Sequence, residues 1–220
     1  DTNVVVILNL LELQRKGSFE TLCHFSTSEV YGSAIYEPMD EKHPKNPLTT
    51  YAGGKTAADL ALETYFKMYG LDAFIVRPFN NYGPRQNYKG YMAGVIPITI
   101  WRVLNGLEPE IHGTGEQSRD SIFVKDTIRS VIELFKVMPS GESVNISTDN
   151  QIKIGDLVRL IAKEMDYKGR IINRIQRDAD VSCHIGCNKK IKSLIDFSLV
   201  PFYLGLKETI DWYVKAMQSS

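Results

Sequence analysis

Residues 51–78, YAGGKTAADLALETYFKMYGLDAFIVRP, decide how this chain folds. From Tyr51 to Tyr69 the pattern is that of a long helix, and Gly70 stands where a helix end favours a left-handed residue. Ala73-Phe74-Ile75-Val76 follows at once, a short apolar run of the kind that forms a strand buried on both faces. Working outward, residues 3–16 carry Val4, Leu8 and Leu11 and close on Lys16-Gly17, which predicts an earlier helix. Leu22 to Ser26 predicts a buried strand, and a polar loop with Pro38, Pro44 and Pro47 joins it to the long helix. Helix, strand, loop, helix, strand is the alternation of a parallel α/β sheet.

After Pro84 the texture changes. Residues 94–105, 126–137 and 154–166 read as helices, Ser121–Val124 as a strand behind a glycine turn at 113–115, and Ile171-Ile172 as a short strand. A last helix is predicted from about Leu204 to Met217. This mixture suggests a smaller α+β lobe over 86–220, beside an α/β part over 1–85, with the chain crossing back near 120–150. Phe197, Phe202, Trp212 and Tyr213 read as packing residues.

Composition narrows the function. Lys+Arg and Asp+Glu are both 26 in 220 residues, so no global field draws the chain to nucleic acid or an anionic membrane. No apolar run approaches the roughly 18–20 residues needed to span a bilayer, and no basic-then-apolar leader opens the chain. Cys23, Cys183 and Cys187 are an odd count, which points to a reducing cytoplasm. Cys183-His184-Ile185-Gly186-Cys187 has no second Cys/His pair nearby, so zinc is not expected.

The chemistry gathers at Tyr51 and Lys55. Four residues apart on a helix, they share one face. A phenol is a weak base with a pKa near 10, and a neighbouring ammonium lowers it. Such a pair could take a proton from an alcohol while hydride leaves the same carbon. Alone the pattern is common. Here Ser26-Thr27-Ser28-Glu29-Val30-Tyr31-Gly32 follows one strand, and Arg77-Pro78-Phe79-Asn80-Asn81-Tyr82-Gly83-Pro84-Arg85 follows the other. The carboxyl ends of parallel strands are where such sheets hold ligands.

These segments, with Gly113-Thr114-Gly115-Glu116-Gln117-Ser118-Arg119-Asp120, resemble the extended short-chain dehydrogenase/reductase family that acts on nucleotide sugars. The resemblance covers essentially the whole chain. It implies a Rossmann-like parallel sheet with helices on both faces, a small C-terminal substrate lobe, and NAD as cofactor. By the same resemblance Tyr51 takes the proton of the sugar 4-hydroxyl, and Thr27 hydrogen-bonds that hydroxyl. Lys55 lowers the Tyr51 pKa and holds the nicotinamide ribose; Pro78 and Ser26 line the cofactor. Asn80, Arg119 and Arg177 hold the diphosphate, for which arginine offers a two-pronged donor. Family members dimerise through a four-helix bundle. Here that implies residues 3–16 and the Tyr51 helix, with Leu60, Thr64 and Met68 outward.

The resemblance also bears on the reaction. Glu29 stands where dehydratases and decarboxylases keep a carboxylate for the C5 proton. Ser28 stands where dTDP-glucose dehydratases keep an aspartate. Gly54 replaces the usual serine before the lysine, and Val6 and Ile7 replace Gly and Thr in the first helix. The first glycine is Gly17, so no Gly-x-x-Gly-x-x-Gly for the NAD pyrophosphate occurs, and a truncated sheet is expected. The expected activity is 4,6-dehydration of a UDP- or dTDP-hexose. The alternatives are a UDP-sugar 4-epimerase, a UDP-glucuronate decarboxylase, or a non-catalytic fragment that binds nucleotide sugar or only dimerises.

Overall fold

The computed structural model describes residues 2–90, 93–175 and 184–218. Helix α1 (Thr2–Arg15) leads to strand β1 (Leu22–Phe25), then to a 3-10 turn, Ser28–Tyr31. Helix α2 (Thr50–Tyr69) and strand β2 (Ala73–Pro78) follow. Gly70 ends α2 at φ 65°, and its N–H bonds to the Phe66 carbonyl, the left-handed cap that the sequence announced. Strand β3 (Asn80–Tyr82) leaves the first sheet directly. Then come α3 (Val95–Leu104), β4 (Glu110–His112), β5 (Ser118–Arg119), β6 (Ser121–Phe123) and α4 (Val124–Leu134). The remainder is β7 (Ser143–Ile146), β8 (Ile152–Lys153), α5 (Ile154–Glu164), β9 (Ile172–Arg174), α6 (Lys189–Leu194) and α7 (Phe202–Gln218).

Strands β1, β2 and β7 form a parallel Rossmann-like sheet in that order, with Phe25 opposite Val76 and Pro78 opposite Ile146. β2 is buried along its whole length. Its side chains alternate between faces: Ala73 and Ile75 pack with Ile7 and Leu11 of α1 and Ala58 and Leu62 of α2. Phe74 and Val76 pack on the other face with Val131 and Leu134 of α4 and Ile191 of α6. A second core joins Ile96 and Ile100 of α3, Leu157 and Ile161 of α5, and Leu206 and Tyr213 of α7 around Tyr82 and Phe123. Tyr213 and Phe197 are core residues, and Trp212 and Phe202 pack against them or their neighbours.

Two features differ from expectation. β3 lies in a stretch that reads as a polar turn, yet Asn80–Tyr82 pairs in parallel with Ser121–Phe123. Its Asn-Asn-Tyr side chains carry no apolar alternation, so backbone pairing alone makes it a strand. β7 has no continuous apolar run and only a four-residue alternation, Ser-Val-Asn-Ile; its membership of the first sheet depends on β2 beside it. No described helix is long and apolar enough to cross a membrane.

Candidate active site

The carboxyl ends of β1 and β2 meet the amino end of α2 at one cleft. Two caps set its geometry. Thr49 begins α2 by accepting the Ala52 N–H at 3.1 Å, which puts Tyr51 in the first turn. Thr27 begins the 3-10 turn by accepting the Glu29 N–H at 3.3 Å. Gly32 closes that turn at φ 66°, where an added Cβ would lie 1.9 Å from the Asn46 carbonyl oxygen, so only glycine fits. Thr27, Glu29 and Tyr51 thereby line one cavity of about 340 Å³ together with Asn80, Gln86 and Arg119. A second cavity of about 300 Å³ shares Glu29, Asn80 and Arg119 with it and runs on to Arg102, Glu110, His112 and Gln117.

Charge in the cleft is arranged around Glu29. Burial raises its carboxyl above the usual carboxylate range, while a hydrogen bond to Thr49 and the Arg119 charge oppose that rise. The Tyr51 phenol is 38% exposed. Burial, and then the Glu29 charge, push it above its ordinary value, and a hydrogen bond with the Thr27 hydroxyl works the other way. This corrects one expectation. Lys55 is not what sets the phenol here, because its Nζ donates to the Phe25 carbonyl at 2.8 Å. Burial lowers the Lys55 ammonium, and Asp59, one turn further along α2, raises it.

Other expected residues take these places. Ser26 is buried at the end of β1, its N–H bonded to the Val76 carbonyl at 2.9 Å. Ser28 is 3% exposed, and it lines the same cavity as Thr27, Glu29 and Tyr51. Pro78 ends β2 and is buried. Asn80 reaches the Asp120 carbonyl with both its backbone N–H, at 3.1 Å, and its Nδ2, at 3.2 Å. Arg119 donates from Nη1 to the Ser118 carbonyl at 2.8 Å and lines both cavities. Arg177 lies outside the described residues, as does Cys183.

Several residues of the site carry no motif of their own. Thr49, which caps α2 and hydrogen-bonds Glu29, is legible as a threonine three residues before Ala52, the spacing of a helix cap. Gln117 lies within the Gly113–Asp120 segment and His112 just before it; both line the second cavity, and Gln117 Nε2 donates to the His112 carbonyl at 2.6 Å. Arg102 and Gln86 carried no signal; Arg102 reaches the cleft only because α3 packs beside β4, where its Nη2 pairs with Glu110 at 2.9 Å.

A family profile described as the NAD dependent epimerase/dehydratase family matches residues 1–147. The chain belongs to that family. The dTDP-D-glucose 4,6-dehydratase of Homo sapiens is 30% identical over 212 residues, which cover 93% of this chain and 59% of the human protein. A UDP-glucose 4-epimerase from Thermotoga maritima, solved with UDP-glucose, superposes with a TM-score of 0.93 at 30% identity over 98% of this chain and 70% of that one. A dTDP-glucose 4,6-dehydratase from Bacillus anthracis, solved with NAD, gives 0.90 at 30% identity over 99% and 69%. Relatives of both activities thus share this fold, and the chain spans about three fifths of the human relative's length.

NAD is the cofactor of the family, and the residues here fit its nicotinamide-ribose half. A lysine ammonium and a part-exposed phenol offer donors at the carboxyl ends of parallel strands. When bound, NAD supplies the acceptor for a hydride and its later return.

Proposed function

We propose that this cleft binds a nucleotide sugar, oxidises it transiently at C4, and then removes the C5 proton, giving 4,6-dehydration of a UDP- or dTDP-hexose. The single observation that carries this reading is that Glu29 and Tyr51 line the same cavity. Tyr51 takes the proton from the 4-hydroxyl, with the Thr27 hydroxyl bonded to the same phenol oxygen. A C4 ketone acidifies C5, and a carboxyl whose proton affinity is already raised is a suitable base for that carbon. Asn80 and Arg119, which line both cavities, are placed for the diphosphate, with the nucleoside towards His112 and Gln117. Arg177 belongs to the same proposal by resemblance. Lys55, Pro78 and Ser26 are assigned to the cofactor.

Ser28 favours a second reading. Its hydroxyl is a far poorer acid than the aspartate of dTDP-glucose dehydratases, and the residue is buried. Without a proton donor for the 6-hydroxyl, the 4-ketone would be reduced again on the other face, the outcome of a 4-epimerase. Product analysis with the intact enzyme, NAD and UDP- or dTDP-hexoses decides between them. A 4-keto-6-deoxy product supports dehydration, and inversion at C4 with no loss of water overturns it.

The division into a cofactor part, residues 1–85, and a substrate lobe, 86–220, is part of the same proposal, with α4 and β7 returning to the first part. So is a homodimer through α1 and α2. Val5, Val6, Leu13, Leu60 and Met68 expose 47–64% of their surface on these two helices, with Thr64 among them.

A further inference from the structure

Helix α2 carries a carboxylate that the cleft chemistry does not touch. Asp59 lies one turn beyond Lys55 and is fully buried. Its Oδ2 accepts Nε and Nη2 of Arg77 at 3.1 and 3.0 Å. Its Oδ1 faces His24 Nε2 at 3.4 Å, and the Ser26 hydroxyl is buried near the same carboxylate without a hydrogen-bond partner of its own. His24 and Ser26 flank Phe25, whose carbonyl holds Lys55 Nζ at 2.8 Å. Asp59 therefore contacts His24 and borders Ser26, the residues on either side of the peptide oxygen that holds Lys55.

Arg77 extends this contact. Its Nη1 donates to the Tyr31 hydroxyl at 3.1 Å and to Ser143 Oγ at 3.0 Å. Tyr31 in turn donates to Asn145 Oδ1 at 2.7 Å. Tyr31 ends the turn that presents Thr27 and Glu29. One buried ion pair thus ties α2 to β1, β2, β7 and the turn. Such a pair is a poor way to gain stability, because apolar residues of similar volume often do as well or better. A fixed negative charge behind Lys55 is something that apolar packing cannot supply.

We propose that Asp59, clamped by Arg77, is a positioning residue that holds the Lys55 ammonium charged and in place beside Tyr51. The proposal rests on the assignment of Lys55 to the cofactor in the proposed function. Lys55 has the Phe25 carbonyl as its hydrogen-bond acceptor and Asp59 one turn along its own helix, with Arg77 of β2 behind Asp59. Of these, Asp59 is the carboxylate that supports the ammonium against burial.

The test follows Lys55 itself, so it needs no turnover. Acylation of Lys55 in the intact enzyme is measured by mass spectrometry against pH, for the parent and for Asp59→Asn. Loss of the charge should move the Lys55 titration down by about one pH unit or more. In parallel kcat should fall about tenfold or more with KM for the nucleotide sugar nearly unchanged, and Asp59→Glu should recover part of both. If Asp59→Asn, which leaves Arg77 only the longer Glu63 ion pair at 3.8 Å, fails to fold, Asp59→Asn with Arg77→Met removes both charges and still predicts a downward Lys55 shift, smaller because the opposing Arg77 charge is lost as well. A Lys55 titration that does not move in a folded variant overturns the proposal. A titration that moves while turnover does not upholds the Asp59 link and overturns instead the catalytic reading of Lys55.

Discussion

Glu29 and Tyr51 face one cavity, and the charge of the first raises the proton affinity of the second. The two bases of the proposed reaction are therefore coupled before any ligand arrives. Glu29→Gln removes the charge and keeps the shape. The phenol should titrate at lower pH, read as the ultraviolet difference between this variant and its Tyr51→Phe derivative. With NAD bound, oxidation at C4 should persist, while the dehydrated product falls by about 10²-fold or more. Equal loss of both steps would count against separate roles.

Tyr51→Phe removes the proposed acceptor of the 4-hydroxyl proton. Turnover should drop by about 10²–10⁴-fold, with nucleotide-sugar binding by calorimetry little changed. Thr27→Ala should lose less, because that hydroxyl only hydrogen-bonds the phenol and caps the turn.

Gly32 gives a prediction about stability. A Cβ at φ 66° would meet the Asn46 carbonyl oxygen at 1.9 Å, and that atom is backbone. Gly32→Ala should cost at least about 1–3 kcal/mol in denaturant unfolding. Any fully folded fraction should show altered kinetics, since the same turn carries Thr27 and Glu29.

A buried pair near Arg119 shapes the response to acid. Burial, then the Arg119 charge, hold the His184 ring down at about 4, so its stabilising contribution is complete above about 6.5 and is lost as pH falls towards 4. Burial raises Asp120 to about 6, so its contribution is complete below about 3.8 and is lost as pH rises through 6. Between about pH 4 and 6 the two slopes oppose each other. His184→Gln removes the first slope alone. The variant should therefore gain stability relative to the parent on acidification from pH 7 to 4.5, by up to about 3 kcal/mol. A difference in melting temperature that does not change with pH would rule out this account.

Substitution on the exposed face of α1 and α2 tests the proposed dimer. Leu60→Lys should shift the intact protein towards monomer in sedimentation, with a small effect on monomer stability because Leu60 is 52% exposed.

Much of this was legible because the signals are local. The helix from Tyr51 to its Gly70 cap, the apolar run of β2, and the order of helices and strands depend on neighbours a few residues apart. The sequence by itself determined a parallel α/β sheet, and the motifs along it carried the resemblance to nucleotide-sugar enzymes. The tertiary structure alone decided what depends on distant partners. β3 became a strand because β6 offered it hydrogen bonds, not because its side chains alternate, and β7, only four residues of alternation long, is fixed in the sheet by β2 beside it. Arg102 and His112 reached the cleft through the packing of α3, α5 and β4. The ionisation of Tyr51 could not be read from its spacing to Lys55. It depends on burial and on Glu29, 22 positions earlier in the chain, since field and desolvation follow distance in space and not distance along the sequence.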